Sequence, residues 1–301
     1  MAGEAGTAVT SVSVTEASKQ EGLEDKKKYP WYIEEVEEIA KPMCKVLEEY
    51  SGIPSDKVKS HVQEIRNRAF AISPYPCLGM FMFLDSRLSS SPYYQEVLER
   101  VKQGETFLEL GCCFGQELRV LAFDGSPSEN LYGSDLSMEF MSLGYDLFLD
   151  KDKLKSKFIA SDIFDPQSDL MKQLANKVDI IHTSAFFHLF SWEEQFQIAK
   201  QVVNLIRPQP GSLILGGQLG NINPCSVPRQ RGNGSRYKHD DASWIKMWEQ
   251  VGQETGTNWK IEAKLLDPIQ LLDGKRQYDH VRDWLKSDEG VRILSFVMRL
   301  E

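Results

Sequence analysis

The strongest constraint on this chain is a strict alternation, between residues 107 and 216, of short apolar runs with amphipathic stretches. Phe107–Leu110, Leu131–Asp135, Phe158–Asp162, Val178–His182 and Ser212–Gly216 have the length and apolar content of buried strands. Between them, Glu117–Phe123, Met138–Leu149 and the stretch opened by Ser191-Trp192-Glu193-Glu194 repeat apolar residues at three and four, the spacing of a helix with one buried face. Ser191 and Glu194 have the spacing of a capping box, which marks a helix start. Strand and helix in turn predict an α/β fold, with a parallel sheet joined by right-handed crossovers.

The first strand-to-helix junction is Glu109-Leu110-Gly111-Cys112-Cys113-Phe114-Gly115-Gln116. Gly111 and Gly115 permit a tight turn and close approach of backbone, and the opening helix leaves free N–H groups aimed at a ligand. Three successive strands end in acids, Glu109, Asp135 and Asp162, at the carboxyl ends where open α/β sheets bind ligands. Asp135 follows Gly115 by 20 residues (135 − 115), the distance at which a carboxylate can take both ribose hydroxyls. Cys113 and Gln116 break the dinucleotide pattern G-x-G-x-x-G. The G-x-x-x-G spacing fits an adenosine cofactor without a pyrophosphate.

A chain of 301 residues is long enough to bury one full α/β core with appendages. Net charge −9 argues against a nucleic-acid surface, so a small-molecule substrate is expected. The five cysteines form no C-x-x-C pair and have no zinc spacing, which predicts a reducing compartment and no metal site. No apolar run approaches the roughly 18 residues of a membrane span, and a signal-peptide pattern is lacking, so a cytoplasmic location is expected.

Three segments follow: a disordered tail over 1–28, a helical region over 29–103 and the cofactor-binding domain over 104–301. In the second, a helix from Trp31 is broken at Pro42 and resumes near Lys41, while Ser55 caps another that ends at Ser73-Pro74-Tyr75-Pro76. Leu78–Leu84 fits strand or helix, and Ser91-Pro92 opens a helix carrying Tyr94, Val97, Leu98 and Val101. This region either caps the nucleotide site or simply covers a sheet face. After the fifth strand, 221–240 reads as a long mobile loop, Asp241 as a helix cap, 259–266 as a strand, Val281, Trp284 and Leu285 as a short helix, and 292–300 as the last strand.

Glu109-Leu110-Gly111-Cys112-Cys113-Phe114-Gly115, Asp135 after the second strand, Ala160-Ser161-Asp162-Ile163 and the turn Arg207-Pro208 to Gly211 resemble the class I S-adenosylmethionine-dependent methyltransferases over residues 104–300. The strings Leu110–Gln116 and Leu131–Leu136, with Tyr29–Tyr32 and Ser73–Pro76, are similar to a fungal subfamily from meroterpenoid and related natural-product pathways. The resemblance implies a Rossmann-like, seven-stranded, mostly parallel sheet and S-adenosylmethionine as cofactor. It also implies O-methylation of a small apolar intermediate, carboxyl methyl esters included, and a homodimer.

By the same resemblance Glu109, Gly111 and Gly115 lie against the methionine part, Asp135 takes the ribose and Leu136 packs on the adenine. Asp162 accepts from the adenine amino group, Ile163 offers its backbone, and the sulfonium points to the crevice beyond Ser184. His188, just past the fourth strand, is the candidate base, with a neutral-range pKa suited to proton abstraction, or else only a positioner; His182 reads as a satisfied core histidine. Phe186, Phe187, Phe190 and Trp192 could line an acceptor pocket, and the basic residues Arg229, Arg231, Arg236 and Lys238 read as solvated loop charges. A C- or N-methyltransferase and a silent or cyclase-like cofactor-binding protein stay open. A nicotinamide oxidoreductase lacks its glycines, and a nucleic-acid methyltransferase lacks an Asn/Asp-Pro-Pro-Tyr-like element.

Overall fold

A computed structural model describes residues 29–229, 233–268, 279–286 and 290–301. The expected tail over 1–28 and Arg231 lie outside these residues. The strands of the main sheet are β1 Phe107–Leu110, β2 Leu131–Asp135, β3 Lys157–Ala160, β4 Ile180–Ser184, β5 Leu213–Asn221, β8 Trp259–Leu266 and β9 Val291–Leu300. A separate hairpin holds β6 Cys225–Pro228 and β7 Ser235–Lys238. The helices are α1 Lys41–Lys45, α2 Val58–Ile72, α3 Tyr94–Lys102, α4 Gln116–Phe123, α5 Met138–Phe148, α6 Asp169–Leu174, α7 Trp192–Leu205, α8 Asp241–Thr255 and α9 Asp279–Lys286, with single turns at Pro76–Gly79, Met82–Leu84 and Phe187–Leu189.

The main sheet has seven strands in the order β3-β2-β1-β4-β5-β9-β8, and β9 alone runs against its neighbours. Order reverses beside β1 and β4, which opens a crevice at their carboxyl ends. Local chemistry places the helices around it. Ser137 accepts from the Phe140 N–H at the start of α5, and Ser191 with Glu194 forms the expected capping box of α7. Alternation then sorts the side chains onto two faces. Phe107, Ile180 and Leu213 join one core with residues from Trp31 through Val101, while Leu108, Ile181 and Ile214 join another with α6, α7 and α8. The N-terminal region therefore covers one sheet face. Among the described residues no helix is long and apolar enough to cross a membrane.

Four local expectations are corrected. Residues 31–40 are not helical, because the buried Arg66 of α2 donates to the carbonyls of Ile33 (2.7 Å) and Glu34 (2.7 Å), which a helix would use internally. Ser55 does not cap α2; the cap position is Lys57, without a side-chain bond. Asp240, not Asp241, caps α8, in a reciprocal pair with Ser243. The supposed loop 221–240 contains the β6–β7 hairpin, docked where the Tyr237 N–H meets the Phe190 carbonyl at 2.8 Å. Leu78–Leu84 resolves into the ends of two short helical turns.

Candidate functional site

The junction after β1 is shaped by what cannot fit. Gly111 and Gly115 have φ of +74° and +65°; a Cβ at the first would lie 2.8 Å from the Phe186 ring, and one at the second 2.6 Å from the Phe158 ring. Cys113 also adopts positive φ, +50°, a strained state for a residue with a side chain. It is held there by the Asp135 carboxylate, whose Oδ2 accepts the Cys113 N–H at 2.9 Å while Oδ1 accepts the Ser137 N–H at 3.1 Å. Burial raises the Asp135 pKa, opposed by backbone N–H groups of Ser137, Cys113 and Leu136. The glycine turn and the acid after β2 thus form one bonded unit.

Leu136, next in sequence, is 74% exposed, an apolar ledge beside a carboxylate. Asp162 is exposed and caps its own turn, accepting from the Phe164 N–H at 2.9 Å, and Ile163 beside it is buried. The Ser161 N–H donates to the Asp135 carbonyl at 2.9 Å and so ties the ends of β2 and β3 together. Glu109 is buried on β1, in register with His182 on β4. One of its oxygens lies 3.8 Å from His182 Nδ1 and the other has no hydrogen-bond partner. Desolvation raises its pKa well above the carboxylate range. The Ser184 hydroxyl, at the tip of β4, is likewise buried without a partner.

The histidine expectations change. His182 is buried but not satisfied, since its Nδ1 has no hydrogen-bond partner, and burial lowers its pKa. His188 is buried in the Phe187–Leu189 turn with Nδ1 unpartnered. Burial, together with the charges of Arg236, Arg87 and Lys238, drives its pKa down to about 3, so it does not sit in the neutral range expected of a base. Lys238 is not a solvated loop charge: it is buried on β7. Of the aromatics, Phe187 is core, whereas Phe186, Phe190 and Trp192 are half-buried beside the turn.

These histidines set a pH dependence. Burial lowers His188, and likewise His239, a fully buried ring just after β7 with Nδ1 2.9 Å from the Ser243 hydroxyl, to about 3 against 6.5 ordinarily, so between those values the unfolded chain binds more protons. Stability is therefore complete above 6.5 and is lost as pH falls toward 3. Urea melts should show a loss of about 1.2 kcal/mol per histidine between pH 7 and 5.5. His239→Asn should make that loss shallower; an unchanged slope would refute the assignment.

Sequence reasoning missed Glu117 and Arg87. Glu117, in the first turn of α4, is buried and accepts from Ser86 Oγ at 2.5 Å and from the backbone N–H groups of Arg87 at 2.8 Å and Leu88 at 3.3 Å. No local pattern marks a carboxylate whose partners come from another segment.

A family description, the meroterpenoid methyltransferase N-terminal domain, matches residues 31–84. The O-methyltransferase phiE of a fungal species is 45% identical over 244 residues, 80% of this chain and 81% of that protein. The chain belongs to this family of fungal natural-product methyltransferases. The asnovolin E/chermesin D methyltransferase nvfJ of Aspergillus novofumigatus is 48% identical over 75% of the methyltransferase and 82% of its own length. Among solved structures, the N-terminal domain of EvdMO1 with S-adenosylhomocysteine bound aligns with TM-score 0.49 at 13% identity, covering 79% of this chain and 97% of that one. The methyltransferase takes S-adenosylmethionine as its methyl donor and acts on a small molecule.

Proposed function

We propose that the protein methylates an oxygen of a small, largely apolar meroterpenoid-type intermediate, and that this oxygen belongs to a carboxylate. His188 carries the choice of acceptor: a buried imidazole surrounded by Arg87, Arg236 and Lys238, with its pKa near 3, is a poor proton acceptor. A carboxylate is already ionised at neutral pH and needs none. His188 then acts as a neutral positioner.

The residues present fit the cofactor. Asp135 retains lone pairs for a vicinal diol beyond its two backbone bonds, and Leu136 offers an apolar ledge for a base. Asp162 and the Ile163 backbone stand at the tip of β3 for the adenine edge. Gly111 and Gly115 let backbone approach the methionine part, and the unpartnered Glu109 oxygen and Ser184 hydroxyl supply polar contacts there. When bound, S-adenosylmethionine would supply an electrophilic methyl group for the acceptor oxygen. The chain's own work is to align the acceptor in line and exclude water, which the half-buried Phe186 and Phe190 favour.

In this reading 29–103 packs on one sheet face and reaches the crevice through its Ser86–Leu88 stretch, 104–301 binds the cofactor, and the enzyme is a cytoplasmic homodimer. Resemblance to the subfamily supports the dimer, which sedimentation of the purified protein would test. The acceptor is tested by incubating the protein with methyl-labelled S-adenosylmethionine and a panel of terpenoid and polyketide acids and phenols. Label released by mild alkali, the signature of a methyl ester, is expected. Label found only in alkali-stable ethers, or on carbon or nitrogen, would overturn the carboxylate reading.

A further inference from the structure

Arg87 lies in the loop after the Met82–Leu84 turn, and three bonds to Glu117 fix the stretch Ser86–Leu88 to the first turn of α4. Its backbone is thus clamped to the helix that opens from Gly115, while its side chain reaches elsewhere. The guanidinium is half-buried, and among the described residues it makes no hydrogen bond and no ion pair. Asp85 and Glu117 are the carboxylates that face it, and the Glu117 oxygens already accept from Ser86, Arg87 and Leu88. Its charge is within electrostatic reach of Cys77, of His182 beside Glu109 and of His188, which lies just past the crevice end of β4. Next to that crevice the Ser184 hydroxyl and His188 Nδ1 are buried with no partner.

A guanidinium carries five N–H donors in a planar fork, and on a half-buried residue these stay open to an incoming acceptor. Burial lowers its pKa, the direction expected for a cation drawn from water. The ligand that matches such a fork is a carboxylate, taken by two parallel hydrogen bonds. Phe186, half-buried against Gly111, gives the site an apolar wall that suits an otherwise hydrophobic molecule. We propose that Arg87 orients the acceptor, its guanidinium gripping the substrate carboxylate beside His188 so that one oxygen faces the methyl group. This rests on the carboxylate reading above. It also accounts for turnover: esterification removes the negative charge, so the product loses the pairing that held the substrate.

The test uses the full chain loaded with S-adenosylhomocysteine, and two probes, 3-farnesyl-4-hydroxybenzoate and its primary carboxamide, titrated by calorimetry. The wild type is expected to bind the carboxylate at least tenfold more tightly than the amide. Arg87→Gln should erase that preference and Arg87→Lys restore part of it, with S-adenosylhomocysteine affinity within twofold of wild type in both, a sign that the fold is intact. A wild type without preference for the carboxylate would overturn the acceptor reading and this assignment together. A preference that survives in Arg87→Gln would overturn the assignment alone.

Discussion

Asp135→Ala should weaken S-adenosylhomocysteine binding by roughly a hundredfold or more, read by calorimetry. Two losses add. The carboxylate would forfeit its charge-assisted bonds to the ribose, each worth about 1.5–3 kcal/mol. It would also release the Cys113 N–H, the bond that holds Cys113 at φ +50°, so the turn from Gly111 to Gly115 would relax away from its binding shape. The conservative substitution is informative. Both Asp135 oxygens accept backbone N–H groups, from Cys113 and from Ser137, so an asparagine must set its NH2 against one of them. Asp135→Asn should therefore lose nearly as much as Asp135→Ala. An asparagine variant that binds like the wild type would mean that this carboxylate neither shapes the turn nor meets the cofactor.

Where an element depends on its own residues, it was legible. Leu131–Asp135 and the Ser191/Glu194 capping box appear as read, because strand burial and helix capping are local. The sheet, mostly parallel with seven strands, followed from alternation and from the family resemblance. Legibility ended where a distant side chain decides. Apolar spacing over residues 31–40 suggested a helix, but Arg66 takes its carbonyls. The Pro, Gly and Arg content of 221–240 suggested a loop, yet its flanks pair as β6 and β7. His188 could be placed past the fourth strand, but its chemistry could not be judged, since its pKa is set by Arg87, Arg236 and Lys238 from other segments. Glu109 and Asp162 both read as acids ending strands, one for the methionine part and one for the adenine, but their surroundings were not legible: one is buried without a partner for its second oxygen, and the other is exposed and bonded within its own turn.

Asp150→Ala should be the most destabilising single change, about 3–5 kcal/mol in a urea melt. Arg119 and Asp150 are both fully buried, joined by Nε to Oδ2 at 2.9 Å and Nη2 to Oδ1 at 3.1 Å. Tyr50 of the N-terminal region donates to the same Oδ2 at 2.9 Å, and burial beside that carboxylate keeps its hydroxyl protonated. The guanidinium also packs among the rings of Tyr145, Phe148 and Phe158 and donates to the carbonyls of Phe114 at 2.7 Å and Gly115 at 3.3 Å. Removing Asp150 alone leaves a charge in that core with its strongest partner gone, and the cost is mainly that of the orphan. Replacing both charges, as Arg119→Met with Asp150→Leu, should recover most of the stability. It should not recover cofactor affinity, because the Phe114 and Gly115 carbonyls that the guanidinium holds belong to the binding turn. If the double variant regained both, Arg119 would be a packing residue with no hold on the site; stability without affinity would show that this buried pair connects the N-terminal region to the shape of the cofactor turn.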